Sequence, residues 1–172
     1  MSERVRDLPS GVVGVVGWHN SGKTRLIEQL VRRAKQRGYC VSVLKHTRGS
    51  ISLDRPGSDT SKLMASGADS VAIAGPEGMA SWRRWDVEPE LRQLLESMSE
   101  GVDLLLVEGY KRAEIPRIEV RRVALGGARI VDDSDLLALV TDEDVPVGCP
   151  CFRAEQADAV WAEVERKVLR HE

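Results

Sequence analysis

Eight residues near the amino end, GWHNSGKT at positions 17–24, set two glycines, a lysine and a hydroxyl at the spacing G-x-x-x-x-G-K-[ST]. That spacing suits phosphate chemistry. Gly17 and Gly22 let the backbone wrap closely, so that successive amide hydrogens point inward at phosphate oxygens. Lys23 would reach the β- and γ-phosphates, and the Thr24 hydroxyl would ligate Mg²⁺. Asn20 and Ser21 fill variable positions of the same loop and count with it as binding residues. The competing reading is a glycine turn beside a solvated lysine. An apolar strand before the loop and an amphipathic helix after it favour the phosphate.

A triphosphate site also needs a carboxylate for Mg²⁺ at the end of a neighbouring apolar strand. The stretch DLLLVEGYK, residues 103–111, offers Glu108 at such an end, and Gly109 allows close approach of the backbone to a ligand. The plain alternative is a surface carboxylate on a loop. Asp54 and Asp59 follow the second strand, where a residue sensing Mg²⁺ or the γ-phosphate would stand; turn and helix-cap roles fit them equally well. Thr141-Asp142-Glu143-Asp144 follows another apolar strand. Asp142 or Asp144 could accept two hydrogen bonds from guanine, although the lysine of N/T-K-x-D is missing and a solvated acidic loop explains the run as well.

The elements that must position these residues follow from period. Val12–Val16 is short and β-branched, as a strand buried on both faces would be. Over residues 22–37, Leu26, Ile27, Leu30, Val31 and Ala34 form one helical stripe, with Gly38 to end it. Residues 40–44 read as the next strand, giving a strand, helix, strand unit with parallel strands and a right-handed crossover. A short helix is expected from Asp59 to Ser66 and strands over 69–74 and 79–85. Another helix carries Leu91, Leu94, Leu95 and Met98. Strands follow at 102–107, 115–120 and 136–140, and a last helix runs over about 154–169. Alternation of this kind predicts an α/β fold, a mainly parallel sheet flanked by helices, with the architecture of a P-loop NTPase.

The chain of 172 residues suits a single nucleotide-binding domain, with residues 1–10 loose. A net charge of −2 argues against nucleic acid or a membrane surface as a partner by charge alone. No run approaches the roughly 20 apolar residues of a membrane span, and the first residues lack a signal peptide's core, so a cytoplasmic protein is expected. Cys40 reads as a small core residue. Cys149-Pro150-Cys151 is spaced too closely for a structural zinc pair and reads as a bent loop near a strand end. Lys111, Arg112, Arg117, Arg121 and Arg122 could bind an anionic phosphate; their alternation with Ile115, Ile118 and Val120 equally suits an edge or dimer-forming strand.

Four blocks taken in order carry a resemblance to a known family: GWHNSGKT; LKHT (44–47) with LDRPGSDTSKLMASGA (53–68); DLLLVEGYK with IPRIEV; and LLALVTDEDVP (136–146). The chain resembles the molybdopterin-guanine dinucleotide biosynthesis protein B (MobB) family of P-loop proteins. The resemblance implies a GTP-binding protein with Mg²⁺, usually a homodimer and at most a slow GTPase. It would assist a partner nucleotidyltransferase in attaching a nucleotide to molybdopterin. It carries over to Gly17, Gly22, Lys23 and Thr24, to Lys45 and His46, to Asp54, Pro56, Gly57 and Asp59, and to Glu108, Gly109 and Lys111. Arg48, Gly49 and Ser50 stand where relatives often have histidines, and Ser58 where many have lysine. Two other readings compete: a small-molecule or nucleotide kinase using ATP, and a binding adaptor in which the nucleotide is structural.

Overall fold

The structure, a computed structural model, describes residues 11–52, 54–132, 136–145 and 148–169. The expected looseness of residues 1–10 lies outside them. The chain separates into two compact units: residues 1–46 with 91–172, and residues 47–90.

The larger unit is built on a sheet whose strands are β1 (Gly11–Gly17), β2 (Val41–Lys45), β5 (Leu104–Glu108), β6 (Arg117–Val120), β7 (Leu136–Val140) and β8 (Cys151–Phe152). Their order across the sheet is β2-β5-β1-β6-β7-β8, and every pairing is parallel. Parallel strands are covered on both faces, and the apolar runs of β1, β5 and β7 are accordingly buried throughout. Helices α1 (Lys23–Gln36) and α4 (Ala157–Val164) cover one face; Leu26, Ile27, Leu30 and Ala34 of α1 pack with Val160 and Trp161 of α4 over Val13, Val15, Leu104 and Leu106. Helix α3 (Leu91–Glu96) covers the other face, where Leu95 meets Val12, Leu105 and Val107. An ion pair of Arg33 with Asp158, at 2.7 Å and 3.0 Å, ties α1 to α4.

The strand order turns at β1. The chain leaves β1 for β2 on one side, returns through β5, and then crosses to β6 on the other. In such sheets ligands gather at the carboxyl ends beside that reversal. The loop after β1 therefore emerges where the topology opens a crevice.

The smaller unit holds α2 (Asp59–Ala65) and an antiparallel hairpin, β3 (Ser70–Gly75) with β4 (Gly78–Arg83), turning at Pro76-Glu77. Ser58 caps α2, its hydroxyl accepting from the Ser61 amide at 3.2 Å.

The expected fold class is found, and four local expectations are corrected. Strand β6 is neither an edge nor a dimer-forming strand: it lies between β1 and β7, buried at every position. Its charged residues are buried because each meets a main-chain partner. Arg117 donates to the Lys111 carbonyl at 3.0 Å, and Glu119 accepts from the amides of Ile130 at 2.9 Å and Val131 at 3.2 Å. Cys40 is exposed, since it precedes β2 at the sheet's edge. Cys151 is not in a loop but opens the short strand β8, because the Pro150 carbonyl and the Phe152 carbonyl accept from Leu139 and Thr141 of the β7 segment. The last helix keeps α geometry only to Val164 and finishes in a wider π turn over Glu165–Leu169.

Glu119 anchors the Ile130-Val131 segment to the sheet. Glu119→Ala would leave the Ile130 and Val131 amides without their acceptor, at roughly 1–3 kcal/mol for each amide that stays buried. A loss of about 2–4 kcal/mol in urea denaturation is expected; wild-type stability would show that water replaces the carboxylate.

Candidate functional site

Gly17 ends β1 in a conformation closed to other residues. Its φ is +154°, and a Cβ there would stand 2.3 Å from the Val120 carbonyl oxygen of β6. Asn20 follows with φ 59°, and Gly22, the residue before α1, with φ 101°. The chain thus turns back on itself before the helix begins. In that turn Ser21 donates its amide to the Trp18 carbonyl at 3.3 Å. Among the described residues, the amides of His19, Asn20 and Gly22 through Arg25 have no backbone carbonyl partner, and no side chain caps the helix. They are the free donors that a helix start with a glycine turn offers an anion.

The loop is held from outside. Lys23 Nζ donates to the Trp18 carbonyl at 2.7 Å. The Trp18 indole donates to the Ala128 carbonyl at 3.0 Å, and its ring lies 4.4 Å from the Lys111 ammonium. Arg122 Nε donates to the Ser21 carbonyl at 3.2 Å. Ser21 itself is buried, and its hydroxyl has no hydrogen-bond partner among the described residues.

Strand register brings Glu108 beside the loop. Glu108 is opposite Val15 in the β1–β5 pair and opposite Lys45 in the β2–β5 pair. Its carboxylate is almost buried, with its side chain 11% exposed. One oxygen accepts from the Thr24 hydroxyl at 3.0 Å, and the other meets the Lys45 ammonium at 3.3 Å. Lys23, Lys45 and Lys111 crowd the same region. Burial lowers the Lys23 pKa first, Glu108 opposes that, and the charges of Lys111 and Lys45 lower it further.

Gly109, at φ 105°, lies against His46, where a Cβ would be 3.1 Å from the histidine Cβ. The His46 amide donates to the Glu108 carbonyl at 2.9 Å, and its ring stacks obliquely on Tyr110 at 4.5 Å. Tyr110 itself has φ 47°, an uncommon value for a residue with a Cβ. His46 thus braces the backbone that presents Glu108.

Asp142 lies past β7, by a pocket lined by Ser21, Gly22, Gln29, Thr141 and Ala154. Its Oδ1 accepts from the Val123 amide at 2.9 Å. That hydrogen bond, with Arg122 and Arg153 near by, holds its pKa below the usual carboxylate value. Asp144 is paired with Arg153. Asp54 and Asp59 belong to the smaller unit and are engaged inside it. Asp54 accepts from the Thr60 hydroxyl at 2.6 Å and the Arg55 amide at 2.7 Å, which lower its pKa in that order. Asp59 begins α2 and pairs with Lys62 at 3.4 Å.

The larger unit thus brings together Gly17, Asn20, Ser21, Gly22, Lys23, Thr24, Lys45, His46 and Glu108. Sequence reasoning missed how Trp18 and Arg122 fix the loop's shape: Trp18 occupies a variable motif position, and Arg122, read only as a candidate phosphate-binding cation, lies just past β6, so spacing carried no signal for either role. For Mg²⁺ the fit is a partial but coherent one: a hydroxyl and a carboxylate, both hard oxygen donors, meet at one spot. Among the described residues no three His, Cys, Asp or Glu side chains gather elsewhere as an all-protein metal cage. Such a site would draw its other ligands from water and phosphate.

A parallel sheet with a glycine turn after its central strand, a lysine and hydroxyl at the helix start and an acidic neighbouring strand end is a P-loop NTPase-like fold. The family model for "Molybdopterin guanine dinucleotide synthesis protein B" matches residues 12–142. The chain belongs to that family. It is 37% identical over 118 residues to a probable molybdopterin-guanine dinucleotide biosynthesis adapter protein of Bacillus subtilis, covering 65% of each chain. It is 31% identical over 136 residues to the adapter protein of Escherichia coli, covering 76% of this chain and 78% of that one. The crystal structure of Bacillus subtilis MobB superposes with a TM-score of 0.73 at 26% identity, covering 94% of this chain and 99% of that chain.

Because Glu108 supports the charge on Lys23, Glu108→Gln is expected to lower the Lys23 pKa further. Heteronuclear NMR of the lysine side chains would follow the titration. An unchanged or higher value would place the two groups out of electrostatic reach.

Proposed function

We propose that the chain binds GTP with Mg²⁺ and acts as an accessory protein in making a molybdopterin dinucleotide, with at most slow hydrolysis. The observation that carries this reading is the set of amides of His19, Asn20 and Gly22 through Arg25, which have no backbone carbonyl partner among the described residues, beside the Thr24–Glu108 pair. Those amides would hold the β- and γ-phosphates, with Lys23 exchanging the Trp18 carbonyl for phosphate oxygen. Thr24 and Glu108 would hold Mg²⁺, which neutralises phosphate charge when bound. Glu108 is already engaged by Thr24 and Lys45, so it is poorly placed to orient an attacking water, in keeping with slow hydrolysis.

The pocket at the ends of β6 and β7 lies on the side of the loop where a base attached to those phosphates would extend. Asp142 would accept from guanine there. Among the described residues no helix is long and apolar enough to cross a membrane, and we take the cytoplasm as the protein's place of action. The partner would be the nucleotidyltransferase that joins nucleotide to molybdopterin, as the relatives' description as adapter proteins suggests. For the homodimer, the β3–β4 hairpin supplies apolar surface: Ile73 is 51% and Met79 70% exposed.

Calorimetry with GTP, ATP and CTP, with and without Mg²⁺, tests this reading. GTP with Mg²⁺ is expected to bind best. Lys23→Ala is expected to abolish binding while the chain stays folded by circular dichroism; unchanged affinity would remove the phosphate loop from the account. Asp142→Ala is expected to reduce the preference for GTP over ATP by roughly tenfold or more, as loss of paired hydrogen bonds to a base edge does. An equal preference before and after would move base recognition elsewhere.

A further inference from the structure

The Glu108 carboxylate has both oxygens occupied, and by unequal partners. Thr24 belongs to the loop and offers a hydroxyl that a divalent cation would also use. Lys45 offers a full positive charge at 3.3 Å from the other oxygen, where a cation would otherwise stand. The pairing is set by register, since Lys45 and Glu108 are direct partners across β2 and β5. The carboxylate is fixed and nearly buried, whereas the Lys45 side chain is 59% exposed on a flexible stem. One partner is built to stay and the other is free to leave.

We infer that Lys45 is a built-in counter-ion: its ammonium holds Glu108 in the nucleotide-free protein, yields that carboxylate to a nucleotide-bound divalent cation, and moves to the terminal phosphate. This rests on the triphosphate reading above. The charges around the site give the order of events. Lys23, Lys45 and Lys111 together repel a bare divalent cation, but attract one carried by a triphosphate, whose net charge is negative. Lys45 therefore gives up Glu108 only when it gains a phosphate. It links occupation of the cation site to the presence of the third phosphate.

A salt bridge that merely joins two strands would behave differently on removal, changing stability and not cation affinity. The test uses Mn²⁺ as the probe, measured by electron paramagnetic resonance on the full chain without nucleotide. Lys45→Met, which keeps the stem and loses the charge, is expected to bind Mn²⁺ roughly five- to tenfold more tightly. Lys45→Arg is expected to remain within about twofold of wild type. Lys111→Met removes a nearby charge that does not touch Glu108 and is expected to gain less than about twofold. Adding Glu108→Gln to Lys45→Met is expected to erase the gain. In calorimetry with Mg²⁺, Lys45→Met is also expected to lose preference for GTP over GDP by a factor of about five. Unchanged or weaker Mn²⁺ binding in Lys45→Met, an equal gain in Lys111→Met, or a gain that survives Glu108→Gln would each overturn the inference. If wild type binds no GTP, the triphosphate reading falls, and the Mn²⁺ comparison still decides whether Lys45 competes for Glu108.

Discussion

One carboxylate organises this site. Glu108 sits almost buried at the end of β5, and a buried charge is costly unless paired and hydrogen-bonded. Its partners come from the two strands on either side: Thr24 through β1 and the loop, Lys45 through β2. The parallel register thereby becomes a chemical requirement. A slip of one residue would turn Glu108 to the opposite face of the sheet, away from both partners. Such a slip is resisted by packing, since it would exchange the residues of β1 and β5 that pack under α1 and α4 with those that pack under α3.

Next to that carboxylate the backbone is left deliberately incomplete. A run of free amides would favour collapse onto the chain's own carbonyls unless something held the turn open. Several contacts do so from different directions. The Val120 carbonyl leaves no room for a side chain at Gly17. Arg122 occupies the Ser21 carbonyl, an acceptor the amides could otherwise seek, and Lys23 shares the Trp18 carbonyl with the Ser21 amide. Trp18 is fastened to the Ala128 carbonyl, and Gly127 packs so closely that a Cβ there would lie 2.7 Å from the indole nitrogen. A ligand arriving at such a loop has little ordering left to impose, which is how preorganisation raises affinity.

The sequence made some of this legible and concealed the rest for physical reasons. A turn of this kind needs glycine where no Cβ fits, as at Gly17, or where φ is positive, as at Gly22, and the two glycines announce it. Buried parallel strands need unbroken apolar runs, so β1, β5 and β7 were readable. Strand β6 was readable as a strand but not as a buried one, because Arg117 and Glu119 alternate with Ile118 and Val120 as though facing water. Each charge instead meets main-chain groups of the loops before and after the strand, and periodicity cannot see those. Strand β8 is only two residues long and exists through its pairing with β7, so its local sequence carries little of the signal. Cys40 was misplaced because the order of strands, and hence which of them forms the edge, depends on long-range pairing. Asp54 and Asp59 had two readings. Inside their own unit they serve the turn and the start of α2.

Two charged clusters divide the work at the sheet's carboxyl edge. On the β2–β5 side, lysines surround one carboxylate, an arrangement that stabilises added negative charge. On the β6–β7 side, Asp142 and Asp144 lie by Arg122 and Arg153, and the charges largely offset one another. A ligand lying across both would place its most highly charged end against the lysines and its neutral, hydrogen-bonding end against the aspartates. A nucleotide has that polarity. The loop between the clusters would join the two halves of such a ligand, since its helix start offers free amides while Ser21 and Gly22 line the pocket beyond β6. Arg122 lines the same pocket and is held to the Ser21 carbonyl, so it supports the loop from the β6–β7 side.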